Sequence, residues 1–294
     1  MTTNVNPAFN HESNTHKELL NLKGMLEGVS ADSKLKEVEV VFLSNWIKDQ
    51  THIKKDGDLL DLQEAIEDVL EDGVVTNEER EDLLVLIGDI LKYNSTQASS
   101  VDCLVNKFLG FLQGISCDNE LTDSEISALS SLIESEQSTH DHWAIKRIKL
   151  LVDEILEDGV VDEQERAQLL GEVKAVCGQE FLDTGIASGL STGVLVGEIN
   201  YESLINVKVC FTGTLTTGTR AEMTKKAKAS GIDVTKTVTQ NLDILVIGGV
   251  ASRDWKFSSF GRKVEKVHQN RDEKGSTTAI IDEPTWNQLF TKLG

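Results

Sequence analysis

From Lys17 onward apolar residues recur at three- and four-residue spacing, as in Leu83, Leu84, Ile87, Leu91 and again in Leu169, Leu170, Val173, Val176. That period predicts amphipathic helices through about residue 181. Between Thr184 and Ser203 the pattern stops, and Gly185, Gly189, Gly193 and Gly197 are spaced among Ser, Thr and short aliphatics. Such a stretch reads as a linker, with docking capacity at Val194-Leu195-Val196. The period then changes. Val207, Val209, Cys210 and Phe211 form an apolar run broken at Thr212-Gly213, and a helical pattern starting at Thr219 offers Ala221, Met223, Ala227 and Ala229 for an inner face. Ile232 to Thr235 reads as a short strand and Ile244 to Ile247 as a buried one ending at Gly248-Gly249. A helix from Phe260, a strand at Thr278 to Ile281 and a closing helix from Pro284 with Trp286 and Phe290 complete the chain. The predicted fold is multidomain: an all-α N-terminal region followed by a C-terminal α/β domain with a small parallel sheet.

The helical region is duplicated. Gly24-Met25-Leu26-Glu27-Gly28-Val29-Ser30-Ala31-Asp32 matches Gly110-Phe111-Leu112-Gln113-Gly114-Ile115-Ser116-Cys117-Asp118, and Leu70-Glu71-Asp72-Gly73-Val74-Val75 recurs identically as Leu156-Glu157-Asp158-Gly159-Val160-Val161. Both pairs share an ungapped offset of 86, so 17–98 and 99–182 are expected to be two repeats of one helical fold. The expected boundaries place a polar tail at 1–16, the linker at 183–203 and the α/β domain at 204–294. Within each repeat a shorter spacing recurs, Asp32 to Glu39, Asp72 to Glu79, Asp118 to Glu125 and Asp158 to Glu165. Thr76–Glu79 and Thr122–Glu125 form capping boxes and Asp162 pairs with Glu165 in the same way.

Asp-Gly followed six residues later by Glu also matches the second half of an EF-hand loop, with Asp72, Glu79, Asp158 and Glu165 as candidate ligands. Counting back from Glu79 puts Leu70 at a ligand position, and Leu156 repeats the mismatch, so helix capping is the expected role and no metal or cofactor is expected. These turns resemble those of TerB-like helical domains, known from tellurite-resistance proteins. Over the turns alone, the resemblance implies a helical scaffold with acidic metal-contacting positions. Lys54-Lys55-Asp56-Gly57 fits Lys-x-Asp-Gly, the nucleophile motif of nucleotidyltransferases such as DNA ligases. Its context is acidic and helical, without strand patterns, so Asp56 or Asp58 is read instead as the cap of a helix carrying Leu59, Leu62, Ala65 and Ile66.

Charge separates the two regions. Residues 201–294 carry 14 Lys and Arg against 10 Asp and Glu, and the other 200 residues carry 15 against 39. Only the C-terminal part is electrostatically suited to approach phosphate. The four cysteines (Cys103, Cys117, Cys177, Cys210) lie singly within apolar patterns, which predicts buried free thiols. Met1 to Lys17 lacks the apolar core of a signal peptide, and no apolar run approaches the roughly 20 residues of a membrane span. A soluble cytoplasmic protein without membrane partners is therefore expected.

Phe211-Thr212-Gly213-Thr214-Leu215, Arg220, Gly231-x-x-Val234, Val238-Thr239, the Leu245-Val246 strand with Gly248, Gly261-x-Lys263-x-x-Lys266 and Trp286 occur in the order of a BRCT domain. Over about Ser203 to Leu293 the chain resembles that family, most closely the single BRCT domains of bacterial NAD-dependent DNA ligases and of the clamp-loader large subunit, without the catalytic parts of either. The resemblance implies a phosphate contacted by Thr212, the Gly213 amide and Lys263 or Lys266, joined by Arg220 as in the subclass that binds DNA ends. Many BRCT domains bind no phosphate and act through protein contacts. The loop after Gly248 is longer than usual, and Asn270 to Ser276 reads as a second polar extension. Arg253, Trp255 and Lys256 form a possible DNA-contacting loop in which Trp255 either stacks on a base or pins the loop to the sheet. Trp286 is expected in the core.

These readings converge on a non-enzymatic adaptor. Its favoured ligand is a 5′-phosphorylated DNA end, in repair, replication or DNA-directed defence, while the acidic helices bind a protein partner. The alternative is a protein-interaction or homo-oligomerising scaffold without DNA contact.

Overall fold

The computed structural model describes residues 7–32, 36–50, 57–71, 76–93, 100–187, 189–199, 201–249 and 255–293. The chain divides into two compact units, Met1–Gly189 and Leu190–Gly294. Lys54, Lys55 and Asp56 of the ligase-like motif, Asp72 of the turn motif and Arg253 lie outside the described residues.

In the first unit, helices α1 (Pro7–Val29), α2 (Glu37–Asp49), α3 (Gly57–Val69) and α4 (Asn77–Tyr93) are followed by α5 (Val101–Ser116), α6 (Asp123–Ser135), α7 (Trp143–Ile155) and α8 (Glu163–Cys177). The bounds of α2 and α3 recur 86 residues later as those of α6 and α7, and α8 starts 86 residues after α4. The helix order of the two halves is the same. A short α9 (Phe181–Thr184) ends the unit, with Phe181 edge-on to Phe42 at 5.4 Å. One expectation is corrected at the start. Residues 7–16, part of the expected polar tail 1–16, are helical; Pro7 is the first helical residue, where its missing N–H breaks no hydrogen bond.

The centre of this unit is the α1–α5 pair. A Cβ placed on Gly24 would lie 1.9 Å from the Lys107 carbonyl oxygen, and one on Gly110 would lie 1.9 Å from that of Asn21. Gly28 and Gly114 face each other, each added Cβ falling 3.0 Å from the other's Cα. Contacts advance in the same direction along both helices, so the two run parallel with their backbones in touch. The pairings are interchanged by the 86-residue offset, so the repeats meet as a pseudo-symmetric dimer. Met25, Val105, Leu109, Leu112 and Ile115 are fully buried around this contact, and Lys107 pairs with Glu27 across it at 2.9 Å.

The caps behave as their spacing predicts. Thr76, Thr122 and Asp162 each exchange hydrogen bonds with the glutamate three residues on. Glu79 and Glu165 thus act as helix caps, and the Asp158 carboxylate accepts from the Val160 amide at 2.9 Å. Among the described residues no group of three or more His, Cys, Asp and Glu is arranged to hold a metal. The four cysteines are buried and free, with burial pushing the Cys177 thiol up to about 12.

Two of these capping glutamates are buried, Glu39 at 3% exposure and Glu125 at 4%. Lys36 donates to Glu39 from its backbone amide at 2.5 Å and sends its ammonium to Asp118 and Glu120 of the other repeat. Burial is the main cause that pushes the Glu39 carboxyl up to about 8; the negative charges of Asp118, Asp32 and Glu125 add to it, and the Lys36 amide opposes it. Glu125 is raised for the same leading reason. Burial opposes ionisation of Lys36, yet its bonds to Asp118 and Glu120 win and hold it charged. A carboxyl whose folded pKa lies above its unfolded one contributes stability at low pH that is lost as pH rises. The helical unit should therefore lose on the order of 2 kcal/mol, roughly 4–8 °C in Tm, between about pH 5 and 8.5. Thermal melts across that window should show the slope, and Glu39→Gln should flatten it.

The second unit holds β1 (Lys208–Thr212), α10 (Arg220–Ala229), β2 (Asp233–Thr235), β3 (Ile244–Ile247), α11 (Arg262–Lys274), β4 (Ala279–Asp282) and α12 (Glu283–Leu293). The sheet is all parallel in the order β2-β1-β3-β4. Its buried positions pack with Met223, Ala227 and Trp286, and Trp286 meets Phe211 edge-on at 5.4 Å. Part of the expected linker belongs here: Val194 is buried, Val196 bridges Ile280, and the Ser191 amide donates to the Ser259 carbonyl. Residues 270–274, read as a polar extension, are instead the last turn of α11. Their polarity reflects an exposed helical face around the buried Asn270.

Candidate functional site

In a doubly wound sheet, the carboxyl ends of the strands at which chain direction reverses leave room for a ligand. Here that reversal lies between β1 and β3, since α10 leads outward to β2 and α11 to β4. Thr212 is the last residue of β1 and is 8% exposed. Gly213 follows at φ 75°, a left-handed conformation that glycine adopts without steric cost.

Two cations bracket this strand end. Arg220, the first residue of α10, is exposed and donates from Nη2 to the Gly213 carbonyl at 2.9 Å. Lys263, on the first turn of α11, donates from Nζ to the Phe211 carbonyl at 3.0 Å and to Cys210 Sγ at 3.2 Å. The two donors thus hold the carbonyls immediately before and after Thr212. Lys266 points elsewhere, to Gln269 at 2.8 Å. The helix phase that carries Lys263 to the strand end turns Lys266, three residues on, to another face. The structure therefore brings Thr212, Gly213, Arg220 and Lys263 together and leaves Lys266 apart.

Of the possible contact loop, Lys256 is engaged with the Glu265 carboxylate at 3.0 and 3.1 Å and sits over the Phe257 ring. Trp255 extends to the site. Its Cζ2 lies 3.1 Å from where a Cβ on Gly213 would be, and its Cδ1 lies 2.9 Å from the Cβ position of Gly261, the N-cap of α11.

One group at this end of the sheet has no counterpart in the sequence reading. Glu283, 1% exposed, accepts hydrogen bonds from the Thr216, Thr217 and Gly249 amides and from both threonine hydroxyls, at 2.6–3.2 Å. Burial raises its pKa, but the hydrogen bonds from Thr217 and Thr216 outweigh that and hold the carboxyl at about 2. A carboxylate that is ionised at neutral pH thus fixes the β1–α10 loop. The 34- to 67-residue separation from its partners hid it, since no local pattern marks such a pairing.

No protein-family model matches the chain, and neither does any curated protein or solved structure. Among the described residues no helix is long and apolar enough to cross a membrane.

Proposed function

We propose that the C-terminal unit is a BRCT-type domain that binds the phosphate of a 5′-phosphorylated DNA end, and that the chain is a non-enzymatic adaptor whose acidic helical unit engages a protein partner. The observation that carries this reading is the pair of cations, Arg220 and Lys263, converging on the two carbonyls that flank Thr212. A phosphate placed there meets a hydroxyl, a backbone amide, a guanidinium fork and an ammonium, a donor set suited to a dianion. The moderate positive charge of residues 201–294 fits an affinity drawn from one focused site more than from a broad phosphate-tracking surface.

The test is binding of the full chain to a duplex carrying a 5′ phosphate or a 5′ hydroxyl at fixed salt. The phosphorylated end should bind more tightly. Arg220→Ala should weaken it about ten- to a hundredfold, the range expected for a lost charge-assisted contact, and should leave thermal stability nearly unchanged because Arg220 is exposed. Equal binding of the two ends, unaltered by the substitution, would replace this reading with that of a protein-interaction or oligomerising scaffold.

A further inference from the structure

We infer that Trp255 is a stacking platform for the terminal nucleobase of the phosphorylated end, which makes the ligand a nucleic acid and not a phosphopeptide. The inference rests on the phosphate reading above and adds a second contact to it.

Trp255 lies against two glycines, Gly213 after β1 and Gly261 at the N-cap of α11. The pyrrole ring lies against Gly261, whose Cβ position falls 2.9, 3.1 and 3.2 Å from Cδ1, Nε1 and Cγ, and the benzo ring reaches Gly213. A side chain at either glycine would displace the indole, so both positions accommodate it at the mouth of the bracket formed by Arg220 and Lys263. The other three tryptophans, Trp46, Trp143 and Trp286, are 3%, 8% and 1% exposed. Trp255 is only half-buried and is held beside Gly213, whose amide is one of the donors assigned to the phosphate.

A large aromatic plate next to a phosphate site has a specific chemical meaning. A phosphorylated serine or threonine carries its phosphate on a short aliphatic stem and gains little from an indole. The 5′ phosphate of a nucleic acid is one sugar away from a base whose outer face, at a duplex terminus, has no stacking neighbour. That base can stack on an indole without being unpaired, and such stacking is tolerant of base identity. The geometry thus joins a charge-based contact to a π-based one within one nucleotide.

The experiment changes the ligand before the protein. The full chain is titrated with three probes: a 5′-phosphorylated duplex, the same duplex with an abasic 5′-terminal residue that keeps its phosphate, and a phosphothreonine peptide. Binding and intrinsic tryptophan fluorescence are both recorded. The intact end should bind about tenfold more tightly than the abasic end and should change the fluorescence, a signal that Trp255→Phe removes. Trp255→Ala should lower affinity for the intact end to that of the abasic end and leave the abasic end itself unaffected. Gly261→Ala, whose added Cβ pushes on the indole while keeping it in the chain, should reproduce the loss in part. Equal affinity for intact and abasic ends, with phosphate discrimination preserved, would overturn the stacking role alone. Loss of phosphate discrimination altogether would overturn the phosphate reading first. A phosphothreonine peptide that binds as tightly and changes the fluorescence as much as the DNA end would overturn the assignment to nucleic acid.

Discussion

Gly24→Ala and Gly110→Ala are each expected to destabilise the helical unit by about 3–5 kcal/mol, roughly 10 °C or more in Tm. The new methyl group would lie 1.9 Å from a backbone carbonyl of the facing helix. A backbone atom cannot rotate aside as a side chain can, so α1 and α5 must separate, and every contact along the parallel pair loosens with them. The same substitution at Gly171, on α8 with open space around its Cβ position, should instead stabilise by about 0.5–1 kcal/mol through helix propensity. Far-UV circular dichroism melts of the three variants would check both signs. Similar losses at all three glycines would show that propensity, not close approach, sets the cost.

The second large effect is expected at Glu283. Replacing it with Gln keeps the shape but removes the charge that five donors share, and should cost the C-terminal unit about 3 kcal/mol. Its folded pKa of about 2 lies below the ordinary value of 4.5. The stability it supplies is therefore present above pH 4.5 and lost as pH falls from there toward 2. Urea unfolding at pH 7 and at pH 3 should show a smaller gap between Glu283→Gln and the native chain at the lower pH. A gap that does not narrow would assign the loss to shape and not to charge.

What the sequence made legible is what depends on near neighbours. The capping boxes close over three residues, and the helices recur at the offset already visible in Leu70 to Val75 and its copy. Thr212, Gly213 and Arg220 lie within nine residues and are positioned by one strand end and one helix start. The rest required knowledge of what meets what. Gly24-x-x-x-Gly28 served as a repeat marker, but nothing local says that it lies against its own copy with the backbones touching. The choice between Lys263 and Lys266 depends on the rotation of α11 against the sheet, and the spacing Gly261-x-Lys263-x-x-Lys266 does not contain that angle. Polarity misled at Asn270 to Lys274, where the exposed face of α11 has the composition of a loop, and at Pro7 to His16, which belong to α1 despite their polar composition.

The ion pairs of Lys36 make the two halves non-interchangeable at their contact. The position equivalent to Lys36 in the second repeat is Thr122, that equivalent to Glu120 in the first is Lys34, and that equivalent to Asp118 is Asp32. A lysine at both equivalent positions would meet the opposite aspartate on both sides of the shared axis; with Thr122 the pair forms on one side only. The tie is therefore directional, the first repeat supplying the cation and the second the anions, and two copies of the second repeat, which lacks the lysine, could not reproduce it.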